Sequence, residues 1–154
     1  MPLHGIFRLS DVTEAYESLA DALADRQEDL ASRQITVSLL TVTSGDSIVI
    51  EPHLFWPDGL HQFHRNYVTD EQLHRYGDLP ERPELRDLAH ALRRDLGKVL
   101  YDAGAQHLQI GRHYPFERDM DPVRLELLLA LKQHVDPKRI MAPGVLFTKT
   151  QNRI

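Results

Sequence analysis

Hydrophobic positions recur along this chain with two different periods, and each change of period marks a new element. After a short stretch, Leu3-His4-Gly5-Ile6-Phe7, the residues Val12, Ala15, Tyr16, Leu19, Ala20 and Leu23 return at the spacing that aligns side chains on one face of a helix. Asp11 and Glu14 stand at capping-box distance, and the pattern predicts one helix running to about Arg33. Ile35, Val37 and Leu39 then alternate with Thr36 and Ser38, the period of a strand with one face in the core. Thr43-Ser44-Gly45-Asp46 reads as a hairpin turn, because glycine accepts positive φ and Ser and Asp bond their own backbone. The returning strand, residues 47 to about 56, sets Ile48, Ile50, Leu54 and Trp56 on one side and Val49, Glu51, His53 and Phe55 on the other.

From Pro57 to Pro83 the periodicity fades into Pro, Gly, His, Tyr and charged residues. That length exceeds a plain connection and predicts an excursion or lid, with only a short helix near residues 60–67. Leu85, Leu88, Ala89, Leu92, Leu96, Val99 and Leu100 restore helical spacing, with Arg86, Arg93 and Arg94 expected on the solvent side and Gly104 as the stop. His107 to His113 alternates again and predicts a third long strand, with Leu108 and Ile110 inward and His107, Gln109, Gly111 and His113 outward. Asp121 as N-cap and Pro122 at the first helical position open a last helix through Leu125, Leu128, Leu129, Leu131 and Val135, which Asp136-Pro137 ends. The predicted class is α+β: a mainly antiparallel sheet of split β-α-β pattern with helices on one face, in a single domain over residues 1–154.

Composition narrows the function classes. A chain of 154 residues with 42% hydrophobic content is long enough for one domain with a sizeable core. The net charge of -5, with no cluster of Lys and Arg, argues against a nucleic-acid or anionic-membrane partner. Without cysteine the chain has no disulfide, thiolate zinc site or thiol nucleophile, and nothing at its start has the basic-then-apolar order of a signal peptide. A cytoplasmic protein is expected on those grounds, and no apolar run approaches the ~20 residues of a membrane helix.

If helices cover one face of the sheet, the other presents Glu51 and His53 from one strand and His107, Gln109 and His113 from another. Strands hold such groups rigidly, and Gly111 would admit a ligand close to the backbone. The plainer reading is the solvated face of an antiparallel sheet. A metal set drawn from His61, His64, His53, His107, His113 and Glu51 matches no established ligand spacing, so no metal is assigned. Neither a Gly-rich phosphate loop nor a Gly-x-Ser-x-Gly elbow is present.

Four stretches together carry a family resemblance: Ile50-Glu51-Pro52-His53-Leu54-Phe55-Trp56-Pro57, Phe63-His64-Arg65, the run His107 to Phe116, and Leu131-Lys132 with His134-Val135-Asp136-Pro137 and Met141-Ala142-Pro143-Gly144. They resemble the C-terminal cap domain of FAD-linked oxidases of the vanillyl-alcohol oxidase type, a group that includes D-lactate and glycolate dehydrogenases and aryl-alcohol oxidases. The resemblance implies a ferredoxin-like cap that lies over the isoalloxazine ring of FAD held mainly by another domain or subunit, closing a pocket for a small alcohol or 2-hydroxy acid. It further implies that His53, His107, Gln109 and Tyr114 contact substrate or flavin, with a histidine or the Tyr114 phenol as acid/base partner for hydride transfer. Glu51, His113, Pro143 and Gly144 would face the same site. Arg112 would pair with a carboxylate or a reduced-flavin anion, against the alternative of a plain surface charge. Where the 2-hydroxy-acid branch carries His-Gly-x-Gly, this chain has His113-Tyr114-Pro115-Phe116, which favours the aryl-alcohol-like branch.

Two other classes compete with a chain that needs an FAD-binding partner: a non-enzymatic α+β module that binds a small ligand and dimerises through exposed sheet edges, and an inactive gene remnant.

Overall fold

The computed structural model describes residues 3–107, 109, 114, 116, 117, 120–145 and 147. Its elements are β1 (Gly5–Arg8), α1 (Val12–Ala24), α2 (Gln27–Ser32), β2 (Thr36–Ser44), β3 (Ser47–Phe55), α3 (Gln62–Arg65), α4 (Asp70–Tyr76), α5 (Pro83–Asp102) and α6 (Pro122–Val135). The chain divides into two compact units, Met1–Gln106 and His107–Ile154.

In the first unit, β3 lies between β1 and β2 and is antiparallel to both. β1 and β2 therefore run parallel to each other with β3 between them, joined by the crossover through α1 and α2. The hairpin turns on Gly45 at φ 61, the two residues Gly45 and Asp46 standing between the paired Ser44 and Ser47. Register decides the faces: Phe7 is opposite Ile48, Gly5 opposite Ile50, and Val37 and Leu39 opposite Leu54 and Pro52. These positions meet a cluster of Leu19 from α1, Leu30 from α2, and Leu85, Leu92, Leu96 and Leu100 from α5, so the helices cover one face of the sheet. The fold class is α+β, as the alternation of periods predicts. Each leucine so buried contributes about 2 kcal/mol of transfer free energy.

Several local expectations are corrected. The first helix is two: the ladder tightens at Arg26, whose N–H bonds Leu23 O, and the new direction brings Leu30 into the core. Asp11 is the N-cap of α1 but makes no capping bond; its carboxylate accepts the Ser10 hydroxyl at 2.6 Å. Arg93, expected in solvent, is buried at the border of the stripe formed by Ala89, Leu92 and Leu96, where its aliphatic stem can lie along the core. The excursion holds α4 as well as a short α3, and α4 starts with a complete capping box between Thr69 and Gln72.

α5 ends in a Schellman motif: Gly104 at φ 87 donates to Tyr101 O while Ala105 donates to Leu100 O. That turn returns the chain to the free edge of β1, where Ile6 and Gln106 exchange both backbone hydrogen bonds, at 2.8 and 2.9 Å. Gly5 is required there, since a Cβ would come within 2.8 Å of the Ala105 Cβ and 2.9 Å of the Phe7 ring. Among the described residues the bridge at Gln106 stands just before the run from His107 to His113 expected to form a long strand. His107 and Gln109 are not in a strand, and Leu108 and residues 110–113 lie outside the described residues.

In the second unit, Asp121 caps α6 by accepting the N–H groups of Val123 and Arg124, with Pro122 at the first position, as the sequence predicts. None of the α6 residues is buried, although the helix is rich in leucine.

Candidate functional site

The uncovered face of the sheet follows from the same register. β3 contributes Val49, Glu51, His53 and Phe55; β2 sets Val42 beside Val49, Leu40 beside Glu51 and Ser38 beside His53; β1 adds Ile6. Glu51 Oε1 and His53 Nε2 are 3.5 Å apart, two positions along one strand, which makes an ion pair when the imidazole is protonated. The His53 ring meets the Phe55 ring edge-on at 6.4 Å between centroids. The face expected to be polar is therefore mixed: Leu40, Val42 and Phe55 are each about half exposed beside the Glu51–His53 pair. The alternation of β2 was legible, but not which of its outward residues would sit beside Glu51, because that is a matter of pairing.

At the end of β3 the sequence reading missed a charged anchor. Asp58 accepts the backbone N–H of Gly59 at 2.8 Å and of Arg82 at 2.7 Å, while Arg86 grips both of its oxygens at 2.8 and 3.0 Å. Trp56 Nε1 approaches the same carboxylate at 3.4 Å. Arg86 thereby holds the Asp58 carboxyl well below the usual carboxylate range; burial opposes this, and the Arg82 N–H and the Trp56 indole reinforce it. Arg86, expected simply to face solvent, instead ties the 57–82 excursion to the first turns of α5. Beside the anchor lies a cavity of about 470 Å³ lined by Phe55, Trp56, Leu60, His61, His64 and His90, among others. The rings of His61, the extended N-cap of α3, and His64 are 5.6 Å apart, and among the described residues no group of three His, Asp or Glu could hold a metal ion.

The second unit contains the closing segment from Lys132 to Gly144. Asp136, 3% exposed, receives the Lys132 ammonium at 2.6 Å and the N–H groups of Ile140 and Met141 at 2.9 and 3.1 Å. Lys132 also donates to Met141 O at 2.7 Å. Lys132, followed by the two N–H donors, keeps the Asp136 carboxyl below its ordinary pKa against the opposing effect of burial. One carboxylate thus organises the turn from α6 into Pro143-Gly144, with Arg139, Ala142 and Gly144 at φ 54, 44 and 69. Lys132, Asp136, Arg139, Pro143 and Gly144 line a single cavity of about 230 Å³, whose apolar wall includes Leu129, Met141, Val145 and Phe147.

His107 and Tyr114 also belong to this unit and stack at 4.6 Å between ring centroids, tilted by 46°. Gln109 is exposed, and Arg112 and His113 lie outside the described residues. The sequence-predicted residues are thus brought together in three sets: Glu51 with His53, His107 with Tyr114, and Pro143 and Gly144 with Lys132 and Asp136. The first set is in one unit and the other two are in the other.

No protein-family model, no curated protein and no solved structure matches the chain. Among the described residues no helix is long and apolar enough to cross a membrane. Function is accordingly read from this chain's own residues.

Proposed function

We propose that this chain is the substrate-side cap of an FAD-dependent oxidoreductase that oxidises an alcohol or 2-hydroxy acid, and that it works with an FAD-binding domain or subunit. The observation that carries the reading is the convergence of Lys132, Asp136, Pro143 and Gly144 on one cavity. These are the residues of the closing segment that resembles FAD-linked oxidases, and each contributes physically to the cavity. Asp136 and Lys132 lock the turn, and Pro143-Gly144 form part of the wall. The residues present fit the ring end of a flavin. A flat ring system is accommodated by an apolar surface with polar groups at its border, and Leu40, Val42 and Phe55 beside Glu51 and His53 make such a surface. A phosphate cradle is missing from the sequence, so the nucleotide end of the cofactor belongs to the partner.

A bound flavin supplies the hydride acceptor. The chain's own residues orient the substrate, exclude water and take the hydroxyl proton as the carbon–hydrogen bond breaks. His53, His107 and Tyr114 are the candidates for that proton. The Tyr114 phenol would take the substrate proton only as it gives its own to a base, for which the His107 imidazole stacked on it is the candidate, while Glu51 would stabilise a protonated His53. Gln109, Arg112 and His113 complete the proposed substrate contacts. The ferredoxin-like arrangement belongs to the same proposal and is supported by the parallel β1 and β2 around β3 and by the bridge at Gln106 on the other side of β1.

The need for a partner is supported by α6, where Val123, Leu127, Leu131 and Val135 follow one another at four-residue spacing and are 74, 60, 51 and 63% exposed. The deciding experiment is a titration with FAD followed by flavin fluorescence, first with the chain alone and then with a separately expressed FAD-binding domain. Quenching only in the presence of the partner is expected. No flavin response in either arrangement overturns the reading and leaves a ligand-binding module without redox chemistry.

A further inference from the structure

β2 forms one edge of the sheet, and the direction of its outer polar groups can be worked out from hydrogen bonds on the opposite edge. Ile6 exchanges both backbone bonds with Gln106, so its N–H and C=O point away from β3, and those of Gly5 and Phe7 point toward it. On β3, Ile48 and Ile50 then face β1, while Val49 and Glu51 face β2 and bond Val42 and Leu40. The alternation leaves the N–H and C=O groups of Leu39, Thr41 and Thr43 directed out of the sheet, with no strand beside them among the described residues.

Edge strands in natural proteins are usually short, or carry a charge, a proline or a bulge that blocks pairing. β2 has none of these: it is nine residues long, Thr-Val-Ser-Leu-Leu-Thr-Val-Thr-Ser, with no charged residue and no proline, and it pairs with β3 without interruption. Leu40 and Val42 on its uncovered face are 46 and 51% exposed. A partner recognised by charge would find nothing on this strand to hold. A second copy of a chain with net charge -5, by contrast, meets no like charge here, and the strand is complementary to itself.

We propose that two copies of this chain pair antiparallel through the outer edge of β2, about a two-fold axis at Thr41, so that their sheets become continuous. With Thr41 opposite itself, Leu39 and Thr43 form the flanking hydrogen-bonded pairs. Leu40 of each copy then stands opposite Val42 of the other in the closely spaced, non-hydrogen-bonded positions. Moving one copy by two residues sets Leu40 opposite Leu40 but leaves Val42 against Ser38, so the Thr41 register covers more apolar surface. This pairing uses the edge of the sheet rather than its open face and does not depend on the flavin reading.

The test is sedimentation equilibrium of the chain over a range of concentrations, alongside Thr41→Lys, Thr41→Glu and Thr41→Pro. Because the Thr41 N–H points outward, proline there removes no bond within the chain, and circular dichroism checks that each variant keeps its fold. A reversible wild-type dimer is expected, weakened about tenfold or more in each variant, a change of about 1.4 kcal/mol. An equimolar mixture of the Lys and Glu variants should regain a heterodimer, since opposite charges then face each other across the axis. A wild-type monomer at every concentration measured overturns the proposal. So does a dimer that tolerates Thr41→Pro, or a Lys/Glu mixture that stays monomeric.

Discussion

Gln34 is held at φ 60, where its Cβ crowds the backbone, because α2 closes on it: Gln34 donates to Ala31 O and Ile35 to Leu30 O. This is the Schellman geometry that α5 builds with a glycine. Gln34→Gly relieves the crowding at an exposed position, and a gain of about 1 kcal/mol is expected in the denaturant midpoint with an unchanged slope. Asp58 makes a prediction of the opposite kind. Its folded-state pKa lies below the unfolded value of about 4, so its contribution is complete above about pH 4 and is lost as pH falls through the folded value. Asp58→Asn should lower the thermal midpoint at neutral pH and flatten its decline on the acid side, as measured by circular dichroism melts across that range. Neither feature was legible in the sequence. Gln34 carries no turn signature of its own, and Asp58 is separated from Arg86 by 28 positions.

At the scale of elements, hydrophobic period located every long helix and the β2–β3 hairpin, because each needs one apolar face whatever its neighbours are. It failed where the neighbours decide. The run expected as one helix to about Arg33 breaks at Arg26, because the second segment turns to bring Leu30 into the core. α6 shows the same point from the other direction. Its leucines and valines mark it as a helix, yet the stripe Val123, Leu127, Leu131, Val135 is open. Leu127→Lys with Leu131→Lys is expected to lower hydrophobic-dye binding while changing stability by no more than about 0.5 kcal/mol, read from dye fluorescence and a denaturation curve. An unchanged dye signal would mean that this stripe is not the apolar surface presented to a partner.

For the molecule as a whole, the candidate residues form separate clusters in two units: Glu51 and His53 on the sheet of the first, and His107, Tyr114 and the Asp136-locked turn in the second. The residues of the candidate site were legible one by one, since histidine, tyrosine and a Lys...Asp-Pro...Pro-Gly segment stand out in any chain. How they group was not. What the sequence by itself determined is the α+β class, the β2–β3 hairpin, the places of α1, α5 and α6, and the inward faces of β2 and β3. All of these follow from local periodicity and caps that act within a few residues. Only the tertiary structure decided that β3 is central, that Leu40 and Val42 stand beside Glu51 and Val49, that Arg86 grips Asp58, and that β2 has no strand on its outer side among the described residues. Each of these depends on which backbone groups find partners far along the chain, and a local pattern contains no information about that choice.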